Sequence, residues 1–249
     1  MPYVKSGGLQ IYYEVIGNGP PVVLHHGTMG SSEIMKLDGY VDALSDNFQV
    51  VLFDARGHGK SDKPLEKSEY TIDKLAGDVV AVLDDIGLSR AGFWGYSWGA
   101  RVGFGLGDLA PNRFKGFVLG AGQPYVAQIT TNLDEHLENE DAMRDAFLGI
   151  FGLTPETIPA PYSERILANN FRAVYATLGL QIDAESAIKN MTMPCLLYAG
   201  SADPVFENTQ KAANELPNAR FVSLEGMNHM DGRLAFGGIL SSAKEIFLV

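Results

Sequence analysis

Short, largely apolar runs recur along this chain between segments of helical periodicity. Four of these runs lie at residues 21–25, 48–53, 114–119 and 195–199, and turn-forming or polar residues flank each of them. A continuous apolar run bounded in this way is typical of a strand that is buried on both faces of a parallel sheet. Residues 9–16 instead alternate between apolar and polar positions, which predicts a strand with one solvated face.

The segments between these strands predict helices. Between Thr71 and Gly87, apolar side chains recur at helical spacing, with Thr71 placed to cap the helix and Gly87 placed to end it. Further strands are predicted at residues 90–94 and 220–224, and further helices at residues 40–44, 100–109, 206–216 and 238–247. Because strands and helices alternate, the pattern predicts an α/β fold with a mostly parallel central sheet flanked by helices.

One segment, residues 123–190, interrupts this alternation. It contains no strand pattern, and it predicts helices at residues 132–150, 162–178 and 183–190. We interpret this segment as a helical cap inserted over the carboxyl edge of the sheet. The predicted division of the chain is a core of residues 1–122 and 191–249 and a cap of residues 123–190.

Composition narrows the classes of function. The 249 residues are 46% hydrophobic and 20% charged, which are ordinary values for a globular protein. A net charge of −11 argues against binding to nucleic acid or to an anionic membrane surface, since both need clustered Lys and Arg. The single cysteine, Cys195, excludes an intrachain disulfide, and the first residues lack the apolar stretch of a signal peptide. We therefore expect a cytoplasmic protein.

The pentapeptide Gly-Tyr-Ser-Trp-Gly at residues 95–99 carries the strongest chemical signal. It lies between the predicted strand at 90–94 and the predicted helix at 100–109, and a Gly-x-Ser-x-Gly turn in that setting is a nucleophile elbow. Such a turn presents its serine at the edge of the sheet, and the flanking glycines allow neighbouring backbone to pass closely. Ser97 is therefore the predicted nucleophile.

A serine nucleophile needs a base that takes its proton and a carboxylate that orients the base. His229 follows the predicted strand at 220–224, and Asp203 follows the predicted strand at 195–199. Both residues lie at carboxyl ends of strands, where an open α/β sheet places its active site. The predicted catalytic set is Ser97, Asp203 and His229.

In this order of nucleophile, acid and base, the chain resembles α/β-hydrolase-fold enzymes, in particular the capped serine esterases and lactonases. Two further motifs carry the resemblance, His-Gly-Thr-Met-Gly at residues 26–30 and Asp-Ala-Arg-Gly-His-Gly-Lys-Ser at residues 54–61. The resemblance implies that the backbone N–H groups of Thr28 and Trp98 form an oxyanion hole. It also implies that the second motif has a structural role, packing the loop near the site.

The resemblance further implies hydrolysis of a small-molecule carboxylic ester or lactone through an acyl-enzyme on Ser97, without a cofactor or a metal ion. We expect a largely apolar acyl group of small to medium size, in a pocket that the indole of Trp98 helps to shape. Two alternatives use the same residues. A hydrolase of carbon–carbon bonds in ring-cleavage products has this catalytic set, and a small-molecule receptor can retain it. The serine disfavours epoxide hydrolases and dehalogenases, whose nucleophile is an aspartate.

Overall fold

The strands form one sheet through the centre of the molecule. The computed structural model describes residues 2–126, 133–178 and 184–248, apart from the side chain of Glu185. Its strands are β1 (Tyr3–Ser6), β2 (Leu9–Ile16), β3 (Pro21–His25), β4 (Gln49–Phe53), β5 (Ala91–Tyr96), β6 (Phe114–Gly120), β7 (Cys195–Gly200) and β8 (Ala219–Leu224). The spatial order is β1-β2-β4-β3-β5-β6-β7-β8. Among the described strands only the β1–β2 and β2–β4 pairings are antiparallel, so the prediction of a mostly parallel sheet is confirmed.

Helices follow most of the strands and flank the sheet. In the described part of the chain they are α1 (Ser32–Leu37), α2 (Tyr40–Leu44), α3 (Ile72–Asp85), α4 (Trp98–Leu109), α5 (Glu140–Ile150), α6 (Ser163–Leu167), α7 (Phe171–Leu178), α8 (Glu185–Asn190), α9 (Phe206–Glu215), α10 (His229–Leu234) and α11 (Leu240–Phe247). None of them is long and apolar enough to cross a membrane, a finding limited to the described ranges.

The sheet is apolar on both faces, which explains the continuous apolar runs. Phe93 packs into a cluster with residues of α3 and α4, whereas its neighbour Trp94 packs into a second cluster with residues of α2 and α11. Both side chains are fully buried. Since truncating a buried phenylalanine costs about 3–5 kcal/mol, Phe93 alone accounts for a large share of a typical folding free energy.

The register of the parallel strands brings their carboxyl ends to one edge. His25 at the end of β3 pairs with Gly95, and Tyr96 at the end of β5 pairs with Gly120. Gly200 at the end of β7 pairs in turn with Leu224 at the end of β8. The loops that leave β3, β5, β7 and β8 therefore begin side by side.

Most buried apolar residues described in the cap segment, residues 123–190, pack in a third hydrophobic cluster. Described members from this segment include Leu133, Met143, Phe147, Leu148, Ile158, Ile166, Phe171, Val174 and Tyr175. Met29 and Ile34, from outside the segment, pack into the same cluster. Within the described residues the segment contains no strand. Two of its predicted helices were expected to begin at residues 132 and 183, which lie outside the described residues. The division into core and cap stays a prediction.

Two helices of the cap segment differ from expectation. The predicted helix at 162–178 is divided into α6 and α7, because the side chain of Asn169 turns back onto the carbonyl of Ile166 at 2.9 Å and that of Asn170 caps α7 through the N–H of Ala173 at 3.0 Å. The predicted helix at 132–150 is replaced by a 3-10 turn at Leu133–His136 followed by α5.

Among the described strands and α-helices, three were not predicted. β1 is a short edge strand of alternating exposure, α1 has six residues, and α10 begins at His229, which was expected in a loop. These segments are too short to show a hydrophobic period, and helices of this length are stabilised mainly by tertiary contacts.

Candidate active site

In the turn between β5 and α4, neighbouring backbone segments lie very close to one another. Ser97 has φ 55° and ψ −116°, a conformation that costs a non-glycine residue about 1–3 kcal/mol. A Cβ at Gly95 would lie 2.4 Å from the carbonyl oxygen of Gly99, and a Cβ at Gly99 would lie 2.5 Å from the carbonyl oxygen of His25. Only glycine fits these two positions. The strained turn leaves the Ser97 side chain partly exposed at the edge of the sheet.

The structure brings Ser97, His229 and Asp203 together. The distance from His229 Nε2 to Ser97 Oγ is 2.9 Å, and the distance from His229 Nδ1 to Asp203 Oδ2 is 2.8 Å. The side chain of Asp203 is fully buried, and its second carboxylate oxygen accepts a hydrogen bond from the Val205 N–H at 3.0 Å. This arrangement allows a proton to pass from the serine hydroxyl to the imidazole while the carboxylate holds the ring.

Local contacts position the backbone of His229. The side chain of Asn228 caps α10 through the N–H groups of Met230 and Asp231, so His229 occupies the first turn of a helix. The hydroxyl of Tyr96 donates to the carbonyl of His229 at 2.7 Å. Sequence reasoning missed Tyr96, although it precedes the elbow serine directly. Burial raises the pKa of Tyr96 far above its usual range, so it stays a hydrogen-bond donor.

The two predicted oxyanion donors belong to segments next to Ser97. Trp98 is the first residue of α4, where a helix leaves N–H groups without an intrahelical acceptor. Thr28 belongs to the loop after β3, and a Cβ at its neighbour Gly27 would lie 3.4 Å from the Cβ of Ser97. The carbonyl of Gly27 accepts hydrogen bonds from His26 Nδ1 at 2.8 Å and from the Gly30 N–H at 3.0 Å. The loop is thus anchored beside the serine.

The indole of Trp98 packs against three buried histidines. Its ring centroid lies 5.2 Å from that of His25, 5.2 Å from that of His58 and 6.5 Å from that of His26. Burial lowers the pKa of all three imidazoles, to about 3 for His25. The rings are therefore neutral, and His26 Nε2 can accept a hydrogen bond from the Ala55 N–H at 3.1 Å. Trp98 also lines the wider of the two cavities at the site.

The motif at residues 54–61 forms loop-packing contacts. Asp54 accepts hydrogen bonds from the backbone N–H groups of Ser32 at 2.6 Å and Lys60 at 2.7 Å. Arg56 makes a two-pronged contact with Asp78, at 2.7 and 2.6 Å, and both side chains are buried. None of these groups lines the cavities described below.

Two cavities meet at Ser97 and His229. The narrower has a volume of about 60 Å³, and the wider has a volume of about 700 Å³. Residues of the cap segment line both, with Phe151 common to the two. The walls of the narrower cavity are mostly apolar and include Met29, Ile34, Met35, Leu153 and Ile166, with Asp38 and Arg233 as its ionic residues beside His229. Among the described residues, no group of three or more His, Cys, Asp or Glu side chains is placed to hold a metal ion.

Asp38 joins three elements around the narrower cavity. Its carboxylate pairs with Arg233 of α10 and accepts a hydrogen bond from the Tyr162 hydroxyl at 2.9 Å. The guanidinium carbon of Arg233 lies 5.2 Å from the centre of the Tyr162 ring. No motif in the sequence pointed to these three residues, because they are far apart in the chain.

Residues 20–232 match the family model of the alpha/beta hydrolase fold. The chain belongs to this family. Its expected fold and the resemblance seen in its motifs are thereby confirmed.

Several proteins are similar to this member of the alpha/beta hydrolase fold. Epoxide hydrolase B from Mycobacterium tuberculosis is 38% identical over 111 residues, which cover 44% of this chain and 30% of that protein. A hydrolase from Pseudomonas aeruginosa PA01 has a TM-score of 0.83 at 25% identity, over 98% of this chain and 97% of that one. The enol-lactonase from Burkholderia xenovorans LB400 has a TM-score of 0.79 at 24% identity, over 98% and 99% of the two chains, a likeness of fold. The matched segments span less than half the length of the first curated relatives.

Proposed function

We propose that this protein is a serine hydrolase that cleaves a carboxylic ester or lactone through an acyl-enzyme on Ser97. The observation that carries the proposal is the pair of contacts made by His229, at 2.9 Å to Ser97 Oγ and at 2.8 Å to Asp203 Oδ2. A nucleophile next to a base, with the base oriented by a carboxylate, is the arrangement that activates a serine hydroxyl.

The reaction follows from these positions. His229 Nε2 takes the Ser97 proton as Oγ attacks the substrate carbonyl, and the backbone N–H groups of Thr28 and Trp98 stabilise the oxyanion. The imidazolium then gives its proton to the leaving alcohol, and the acyl group remains on Ser97. Water repeats the sequence with His229 as base and releases the acid. Asp203 holds the ring and stabilises the imidazolium throughout.

The nucleophile separates this proposal from an epoxide hydrolase, the activity named for one of the relatives. Epoxide opening in this fold uses an aspartate at the elbow, whereas this chain has Ser97 there. The serine at the elbow supports ester or lactone substrates, and the protein named an enol-lactonase has the same fold. The mostly apolar walls beside Ser97 support an acyl group of small to medium size.

Hydrolysis of p-nitrophenyl acetate and p-nitrophenyl butyrate tests the proposal. We expect steady turnover by the native chain and a loss of about 10⁴-fold or more in kcat for Ser97→Ala, because removing a triad nucleophile removes the covalent path. Ser89→Ala, at an exposed serine, is the matched control and retains full activity. Near-native turnover by Ser97→Ala would contradict the mechanism, and a single burst followed by stalling would favour a receptor that retains the triad.

A further inference from the structure

Met29, in the loop that carries Thr28, has a conformation that it does not favour. Its φ is 60°, in the left-handed region where a side chain with a Cβ is strained. Such a conformation persists only when surrounding contacts determine it. The contacts that hold Met29 therefore also hold the Met29–Gly30 peptide, whose N–H donates to the carbonyl of Gly27 at 3.0 Å.

The contacts to Met29 come from the cap segment. The Asn169 side-chain amide donates to the carbonyl of Met29 at 3.1 Å. The Met29 side chain is buried, and it packs in the cluster that contains Met143, Phe147 and Phe171. The backbone and the side chain of Met29 are thus both held by residues of the cap segment.

The other side of the same loop is held by residues before residue 123. The carbonyl of Gly27 accepts hydrogen bonds from His26 Nδ1 at 2.8 Å and from the Gly30 N–H at 3.0 Å. The peptide is planar and trans, so its N–H points opposite to its C=O. Fixing the Gly27 carbonyl therefore directs the Thr28 N–H to the opposite side. Thr28 lies between this anchor and the Met29 anchor.

We propose that Asn169 is a positioning residue for the oxyanion hole, acting through Met29 on the Thr28 N–H. This inference rests on the proposed function. The Met29 carbonyl and the Gly30 N–H belong to one peptide, and that N–H donates to the Gly27 carbonyl. In the absence of the Asn169 amide this peptide can rotate, which weakens the hydrogen bond to the Gly27 carbonyl and loosens the Thr28 N–H of the same peptide as that carbonyl. The cap segment then does more than line the cavities, since one of the two oxyanion donors depends on it.

Asn169→Ala tests this role, with Asn170→Ala as the matched control. Asn170 neighbours Asn169 and caps α7 through the N–H of Ala173 at 3.0 Å, so its loss perturbs the cap segment without touching Met29. Removing one oxyanion donor costs about 10²–10³-fold in kcat. Because Met29 keeps its side-chain packing in Asn169→Ala, we expect a smaller loss of about tenfold in kcat, with KM changed less than twofold. Asn170→Ala should change neither constant more than twofold.

Two further measurements separate positioning from folding. Asn169→Asp keeps the shape of the side chain but replaces the donating amide with an acceptor, so it should lose at least as much kcat as Asn169→Ala. The rate at which a fluorophosphonate probe labels Ser97 reports the oxyanion hole without depending on the choice of ester. We expect this rate to fall about tenfold in Asn169→Ala and to be unchanged in Asn170→Ala.

The outcomes distinguish this inference from the proposed function. A reactive Ser97 with equal labelling rates in Asn169→Ala and Asn170→Ala would overturn the inference alone. A fall in kcat and labelling confined to the Asn169 variants supports it. An unreactive Ser97 in the native chain would overturn the proposed function, and the inference would fall with it.

Discussion

At the scale of the residue, the Asp203 carboxylate determines which nitrogen of His229 carries the proton. An ionised carboxylate only accepts hydrogen bonds, so the Nδ1 that faces it at 2.8 Å must be protonated. Nε2 is then the free acceptor, and it faces Ser97 Oγ at 2.9 Å. The burial of Asp203 leaves water no competing access to this contact.

Asp203→Asn should therefore abolish most of the activity without changing the shape of the site. The amide that replaces the carboxylate can donate to Nδ1, which moves the imidazole proton to Nε2 and removes the acceptor for Ser97. We expect kcat on p-nitrophenyl butyrate to fall about 10⁴-fold. Asp42→Asn, at an exposed aspartate, is the control with the same chemical change. A loss of less than tenfold in Asp203→Asn would show that Asp203 does not orient the base.

At the scale of the element, one buried carboxylate connects α10 to the cap segment. Asp38 follows α1, pairs with Arg233 near the end of α10, and accepts from Tyr162 at the start of α6. The helix that carries His229 has six residues, too few to be stable by itself. The junction of Asp38, Arg233 and Tyr162 therefore contributes to the position of α10 as well as to the docking of the cap segment.

Two variants that break the contacts among Asp38, Arg233 and Tyr162 should each lower the free energy of unfolding, by different amounts. Asp38→Asn leaves the partly buried Arg233 guanidinium without its counter-ion, which should cost somewhat less than the loss of about 3–5 kcal/mol for a fully buried pair. Tyr162→Phe removes one hydrogen bond to a charged group, worth about 1.5–3 kcal/mol. Urea unfolding measures both losses in the free energy of unfolding, with Asp46→Asn at an exposed position as the control. Equal stability of Asp38→Asn and Asp46→Asn would mean that the junction holds nothing in place.

At the scale of the whole molecule, the buried histidines link stability to pH. Burial lowers the pKa of His25 to about 3 and lowers the pKa of His26 and His58 as well. In the unfolded chain these groups titrate near the ordinary value of about 6.5. The unfolded chain therefore binds more protons below that pH. The contribution of the neutral buried histidines to the free energy of unfolding is fully present above about pH 6.5. It is lost as the pH falls toward their lowered pKa values in the folded protein.

The free energy of unfolding should accordingly decrease steeply between about pH 6.5 and pH 5. Each such histidine contributes a slope that approaches about 1.4 kcal/mol per pH unit. In His25→Asn the side-chain amide can still donate to the His26 carbonyl, which His25 Nδ1 contacts at 2.9 Å, but the ionisable group is gone. We expect urea unfolding at a series of pH values to show that the free energy of unfolding of this variant changes less with pH, by about 1.4 kcal/mol per pH unit. Val23→Ala, a buried change on the same strand, should lower stability without changing the slope. An unchanged slope in His25→Asn would contradict the linkage.

The sequence by itself determined the architecture and the order of the chemical groups. The continuous apolar runs predicted β3, β4, β6 and β7, because a strand covered on both faces has no solvated position to encode. The Gly-x-Ser-x-Gly turn predicted the elbow, since only glycine admits the 2.4 Å approach of backbone at Gly95. These features are local, and they can therefore be found without the fold.

Only the tertiary structure decided the contacts that join distant segments. Asp38, Tyr162 and Arg233 meet although no local pattern marks them, and the break between α6 and α7 depends on where the Asn169 amide finds its acceptors. Hydrogen bonds and ion pairs need distances of a few ångströms, which separation along the chain does not reveal. The sequence pointed to Ser97, Asp203 and His229 as partners, but the 2.9 and 2.8 Å distances that allow proton transfer exist only once the sheet brings its strand ends together.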